Sequence, residues 1–124
     1  MNILIDTWGW LKIREGSSGG DRVKKLIRLN AGSVFTTTAN LFEVSYKAEQ
    51  KAGREDAQEF IRTIRQTANI LPITEEIALL AAHYRLADGL RAIDAFTYAA
   101  AILNNAKVVT GDSDFKGKPH VIFI

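Results

Sequence analysis

Apolar residues in this chain fall into short runs rich in β-branched side chains, separated by longer stretches whose apolar positions recur every three to four residues. The runs at Ile3–Asp6, Ser33–Thr36, Ile70–Ile73, Lys107–Thr110 and His120–Ile124 are too short for helices and predict strands. Between them, Val23, Leu26 and Ile27 keep helical spacing from a start near Asp21. Leu41, Val44, Ala48 and Ala52 make a second stripe, ended by Gly53, and Ala57, Phe60, Ile61 and Ile64 make a third. The clearest is Ile77, Leu80, Ala81, Tyr84, Ala87. Thr74 opens it as N-cap, Glu75 and Glu76 suit its positive end, and Asp88-Gly89 closes it. Ala92–Asn104 is the last helix and the most apolar. Gly16-Ser17-Ser18-Gly19-Gly20 reads as a mobile loop. Strands alternating with helices imply right-handed βαβ crossovers, hence an α/β fold of three layers, α/β/α, around a parallel sheet.

Length and composition narrow this picture. A chain of 124 residues with 47% hydrophobic and 24% charged residues suits one domain, 1–124, able to bury a core. No apolar run reaches membrane-helix length, and Met1-Asn2-Ile3-Leu4-Ile5-Asp6 meets an acid too early for a signal peptide, so a cytoplasmic setting is expected. The absence of cysteine excludes disulfides, thiol catalysis and cysteine zinc sites. The net charge of +2 says little at first, because 16 Lys+Arg nearly cancel 14 Asp+Glu.

The candidate chemistry lies in the acids. Open parallel sheets gather functional groups beyond the carboxyl ends of their strands. Asp6 directly follows Ile3-Leu4-Ile5, and Asp112 follows Lys107-Val108-Val109-Thr110, with Asp114 two residues on. Glu43 sits in the first turn of the helix after Ser33–Thr36, and Asp94 lies among Ala92, Ile93, Ala95 and Phe96 near the start of an apolar helix. Each has a local explanation. Asp6 can start a turn, Asn40 and Glu43 have capping-box spacing, Asp94 can serve first-turn donors, and Asp112-Ser113-Asp114 can be an acidic turn. Together those explanations require four coincidences at one sheet edge. Converging carboxylates repel unless a cation neutralises them, and hard divalent cations such as Mg²⁺ prefer carboxylate and water oxygens. Such a site activates water and stabilises charge on a phosphodiester.

Other residues carry weaker signals. His83 and His120 are isolated and read as structural or surface residues. Residues 1–65 hold 11 of the 16 basic side chains; Lys12, Arg14 and the Arg22–Arg28 cluster are the candidates for phosphate contact. The charges after residue 47 read as a solvated helix face. Trp8 and Trp10 suit either base stacking or packing in a core or subunit interface.

With these residues in place, the chain resembles the PIN-domain ribonucleases, specifically the small VapC-type toxins of bacterial and archaeal toxin–antitoxin pairs. The resemblance runs through Ile3-Leu4-Ile5-Asp6-Thr7, Ala39-Asn40-Leu41-Phe42-Glu43-Val44, Ala92-Ile93-Asp94-Ala95-Phe96-Thr97-Tyr98-Ala99-Ala100-Ala101 and Val108-Val109-Thr110-Gly111-Asp112-Ser113-Asp114-Phe115. It implies a five-stranded parallel sheet of order 3-2-1-4-5, with Asp6 and Asp112 ending adjacent central strands. It implies a Mg²⁺- or Mn²⁺-dependent endoribonuclease whose metal is held by Asp6, Glu43, Asp94 and Asp112, with Asp114 an alternative to Asp112, and whose products carry a 5′-phosphate and a 3′-hydroxyl. Thr7, Thr110 and Asn40 match the polar neighbours of those acids. The resemblance further implies an RNA substrate, a homodimer, and a cognate antitoxin that inserts a segment, often carrying Arg, into the acidic pocket. Trp8-Gly9-Trp10 departs from the pattern, where small and aliphatic residues are commoner. The competing reading is a PIN-like module that binds RNA or protein without cutting. A signalling receiver is disfavoured, because Thr110-Gly111 follow the late strand where a receiver needs Lys, and Lys107 precedes it. Setting the pocket acids aside leaves a remainder with clear basic excess, suited to a polyanion.

Overall fold

The β-branched runs form a five-stranded sheet of order β3-β2-β1-β4-β5 in a computed structural model that describes residues 1–124. The strands are β1 (Asn2–Ile5), β2 (Val34–Thr37), β3 (Asn69–Leu71), β4 (Ala106–Thr110) and β5 (Val121–Phe123), and every neighbouring pair is parallel. Six α-helices complete the chain: α1 (Thr7–Glu15), α2 (Ser18–Leu29), α3 (Thr38–Ala52), α4 (Arg54–Thr67), α5 (Glu75–Asp88) and α6 (Ala92–Leu103). Central β1 pairs with β2 and β4, with Leu4 beside Phe35 and Val108 and Ile5 beside Val109.

Strand alternation sorts the core into two layers. Leu4 and Val108 face α5 and α6, packing with Ile77, Ala81, Leu90, Tyr98, the Ala99-Ala100-Ala101 run and Phe115. Ile3, Ile5, Val34 and Val109 face the opposite way, against Trp10, Val23, Val44 and Ile64 from α1 to α4. Burying each such large side chain contributes about 1.5–3 kcal/mol before entropy is counted. The three alanines carry no bulk, so α6 lies close on the sheet and brings its N-terminal turn to the carboxyl edge of the strands.

Two local expectations are corrected. The run Gly16–Gly20 is no mobile loop. Gly16 ends α1 in the left-handed region at φ +71°, Ser17 caps α2 by accepting from the Gly20 N–H, and Ser18, Gly19 and Gly20 form the first turn of α2. Asn40 and Glu43 do not form a capping box: Thr37 is the N-cap of α3, and Asn40 is the N3 residue that closes the box with it. The stretch Trp8-Gly9-Trp10, for which the periodicity predicted no element, lies inside α1. Strand limits also shift: β2 begins one residue later than its apolar run, β3 one residue earlier, and His120 stands outside β5 at φ +60°.

Gly20 is where α1 and α2 meet backbone to backbone. A Cβ there would fall 2.2 Å from the Lys12 carbonyl oxygen. Contact with backbone cannot relax by rotamer change, so Gly20→Ala should lower unfolding free energy by about 1–3 kcal/mol. Gly19→Ala, whose Cβ would meet the Trp8 ring at 3.1 Å, should cost less. Urea denaturation of both variants measures the difference.

Candidate active site

Three acids stand at the N-terminal ends of helical segments, and the sheet brings those ends together. Asp6 leaves β1 and caps α1, its Oδ1 accepting from the Gly9 N–H at 2.9 Å. Asp112, just past β4, caps the 3₁₀ turn Ser113–Phe115 by accepting from the Asp114 N–H at 3.0 Å. Asp94 lies in the first turn of α6. Because β1 and β4 are paired, Asp6 and the Thr110–Asp112 segment leave the sheet side by side. Asp6, Glu43, Asp94 and Asp112 all line one cleft of about 370 Å³, together with Thr7, Trp8, Lys12, Lys47 and Arg91.

The local roles anticipated for these acids are realised only in part. Asp6 and Asp112 are caps as well as cleft residues, so neither role excludes the other. Glu43 is free of the cap and pairs instead with Lys47 at 3.7 Å. Asp94 serves no backbone donor: its Oδ2 is buried without a hydrogen-bond partner. One carboxylate oxygen from each of Asp94, Asp112 and Asp114 lies within 4.8 Å of the others, a grouping able to hold a metal ion. Between the alternative acids, Asp112 lines the cleft, whereas Asp114 is more exposed and closes the trio from outside.

Burial and mutual repulsion raise the proton affinity of the two innermost acids. The Asp6 carboxyl, 3% exposed, is pushed up to about 7, chiefly by burial. The Thr110 hydroxyl and Gly9 N–H hold it down, while Asp94 and Asp112 push it further up. Asp94 is raised to about 6, by burial first and then by Asp112, with Arg91 opposing and Glu43 and Asp114 adding to the rise. Both acids sit where a negative charge is only partly compensated, which is the environment a cation relieves.

Asn40 is buried beneath the cleft rather than lining it. Its Oδ1 accepts from the Thr37 hydroxyl at 2.8 Å, and its Nδ2 donates to Thr7 at 3.2 Å and Thr97 at 3.0 Å. It therefore ties α3 to α1 and α6, the helices that carry Glu43, Asp6 and Asp94. Thr7 is held by this tie at the cleft wall, and Thr110 accepts from the Asp112 N–H at 3.0 Å.

Of the basic candidates, Lys12 lines the cleft, paired with Glu15 at 3.2 Å and over the Trp8 ring. Arg14 does not reach it: its guanidinium pairs with Asp56 of α4 and lies over Phe60. Trp10 is buried in the core, its Nε1 donating to Thr36, so it is closed to base stacking. Trp8 stays at the cleft, its ring so close to Gly111 that a Cβ there would lie 2.3 Å away. The exposed His83 and His120 lie outside the cleft lining.

Sequence reasoning passed over Arg91, which reaches Asp94 at 3.8 Å, Asp112 at 3.7 Å and Asp114 at 3.4 Å. A signal was present. Arg91 occupies the N-cap position of α6, where Ser, Thr, Asp or Asn is preferred, and makes no capping bond.

Comparisons with known proteins agree with this geometry. The PIN domain family matches residues 3–120. No curated protein matches the chain. Among solved structures, a toxin–antitoxin complex from Klebsiella pneumoniae is similar at TM-score 0.81 and 24% identity, covering 98% of this chain and 96% of its own. DNA-bound VapBC from Salmonella typhimurium is similar at TM-score 0.81 and 16% identity, covering 100% and 97%. VapC20 from Mycobacterium tuberculosis, a sarcin–ricin loop cleaving toxin, is similar at TM-score 0.80 and 16% identity, covering 99% and 97%. On the family match and the shared sheet order, the chain belongs to the PIN domain family, with the fold of its VapC-type toxins.

Proposed function

We propose that this chain is a Mg²⁺- or Mn²⁺-dependent endoribonuclease, the toxin of a toxin–antitoxin pair acting in the cytoplasm as a single PIN domain, residues 1–124. The observation that carries the reading is the convergence of Asp6, Glu43, Asp94 and Asp112 on one cleft with the buried Asp94 Oδ2 left unpartnered. An all-carboxylate donor set suits a hard divalent cation. Asp94, Asp112 and Asp114 offer the closest oxygens, and Asp6 and Glu43 complete the anionic lining. The residues present fit the ion that the family implies.

A bound divalent ion supplies Lewis acidity toward a phosphate oxygen and acidifies a coordinated water. The chain's own groups supply the rest. Glu43, partly buried in the cleft lining, can orient a water and accept its proton. Lys12 and Lys47 flank the cleft and neutralise the entering phosphodiester. Trp8, half-buried beside Lys12, offers a stacking face for a base next to the scissile bond. Exposed Arg22, Lys24, Lys25 and Arg28 on α2 extend the basic surface without choosing sequence.

Structural neighbours that are toxin–antitoxin complexes support a protein antitoxin as partner. Exposed Phe42 and Tyr46 on α3 and Leu79 and Leu86 on α5 supply apolar surface for a second copy of the chain. No helix is long and apolar enough to cross a membrane.

Cleavage of structured RNA should require Mg²⁺ or Mn²⁺ and stop with EDTA. Asp6→Asn and Asp94→Asn should each lower the cleavage rate at least about a hundredfold with native circular dichroism, since ligand loss exceeds the effect of losing a ligand's hydrogen-bond partner. Full activity in a metal-saturated Asp94→Asn protein overturns the reading.

The Asp6 carboxyl also predicts a pH dependence. Its folded pKa of about 7 lies well above the ordinary aspartate range, so between the two the folded state holds the proton more tightly. In EDTA, this group's contribution to stability should therefore be fully present below about pH 4 and be lost as pH rises through about 7. Asp6→Asn keeps a good helix cap but removes the titration. Between pH 5 and 8 the wild type should lose about 2–3 kcal/mol more than this variant in urea denaturation.

A further inference from the structure

Arg91 is held at the acid cluster by its place in the chain, and its local structure does not explain it. The N-cap of a helix is normally filled by a side chain that accepts a backbone hydrogen bond. Arg91 cannot accept one, and α6 goes without a side-chain cap. Its guanidinium instead faces Asp94, Asp112 and Asp114, the same three carboxylates whose oxygens group within 4.8 Å.

The pairing is loose. The separations are 3.4–3.8 Å, none is a hydrogen bond, and Asp94 Oδ2 remains without a hydrogen-bond partner despite the nearby Arg91 Nε. The Arg91 side chain is 75% exposed, so it can swing into water at little cost. Its backbone is nonetheless fixed three residues before Asp94, which keeps the charge at high local concentration. A planar guanidinium over a carboxylate trio neutralises charge without saturating the oxygens, whereas a divalent ion coordinates them directly.

We propose that Arg91 is a tethered counter-cation for the Asp94–Asp112–Asp114 cluster, which a divalent metal ion displaces on entering the site. This rests on the metal-site reading of the cleft. In the metal-free protein Arg91 screens the mutual repulsion of the three acids. On metal binding that screening is given up, so the residue sets the metal affinity to a weaker value than the carboxylates alone would give.

Isothermal titration of the whole protein with Mn²⁺ tests this. Arg91→Gln should bind Mn²⁺ about three- to tenfold more tightly than wild type, and Arg91→Lys, which keeps the charge, should bind as wild type does. In EDTA, Arg91→Gln should melt about 1–3 °C below wild type, and the gap should close at saturating Mn²⁺. Unchanged or weaker Mn²⁺ binding by Arg91→Gln, or a melting gap that persists with Mn²⁺, overturns the proposal. If both proteins bind equally and Asp94→Asn abolishes binding, the counter-cation role fails while the metal site stands. If neither wild type nor Arg91→Gln binds Mn²⁺, both fail.

Discussion

The structure depends on gathering like charges in a place with little water. Asp6 is buried, Asp94 is nearly so, and Asp112 lies within electrostatic reach of both. Left alone, such a group resists ionisation and destabilises the fold at neutral pH. The fold tolerates it because the acids stand at helical N-termini. Asp6 caps α1, Asp94 occupies the first turn of α6 and Asp112 caps the 3₁₀ turn, so unsatisfied N–H groups and the positive helix ends face the negative charge. That compensation is partial, as the orphaned Asp94 oxygen and the raised acids show. A site left unbalanced in this way is prepared for a cation.

Holding the acids in place requires that three helices keep fixed relative positions, and a buried polar network does this. Asn40 links Thr37, Thr7 and Thr97, and Thr36 receives the Trp10 Nε1–H while donating to the Ile5 carbonyl oxygen. Each member has a partner, so burial carries no unsatisfied-group penalty here. The contrast with Asp94 is instructive. Asn40 is a saturated polar residue that serves the scaffold, and Asp94 is an unsaturated one that faces the cleft.

Close packing shapes the mouth of the cleft. The Trp8 ring lies against Gly19 on α2 and Gly111 on the turn before Asp112. A single aromatic side chain thus wedges between two backbone segments and forms the wall next to Lys12. The glycines are needed for the room they leave, because any Cβ at Gly111 would overlap the indole. Trp8, one of the residues that depart from the family's commoner pattern after Asp6, is therefore accommodated by the absence of side chains at Gly19 and Gly111.

Much of this was legible in the order of residues. Alternating β-branched runs and helical stripes determined the α/β class, because burial on both sheet faces demands those periodicities. The acids stood out because the local explanations available to each of them, taken together, require four coincidences at one sheet edge. The sheet order entered only through the family resemblance, and the strand pairing bears it out. What tertiary structure alone decided was whatever depends on contacts across sequence distance. Gly16–Gly20 looks flexible until Lys12 is placed 2.2 Å from a Cβ at Gly20. Arg14 and Lys12 look equivalent until one is tied to Asp56 and the other reaches the cleft. Arg91 looks like an ordinary surface charge until β4 delivers Asp112 and Asp114 beside it. Periodicity reports which face of an element is buried, but it holds no information on which distant charge will meet which. That is set by strand pairing and helix packing.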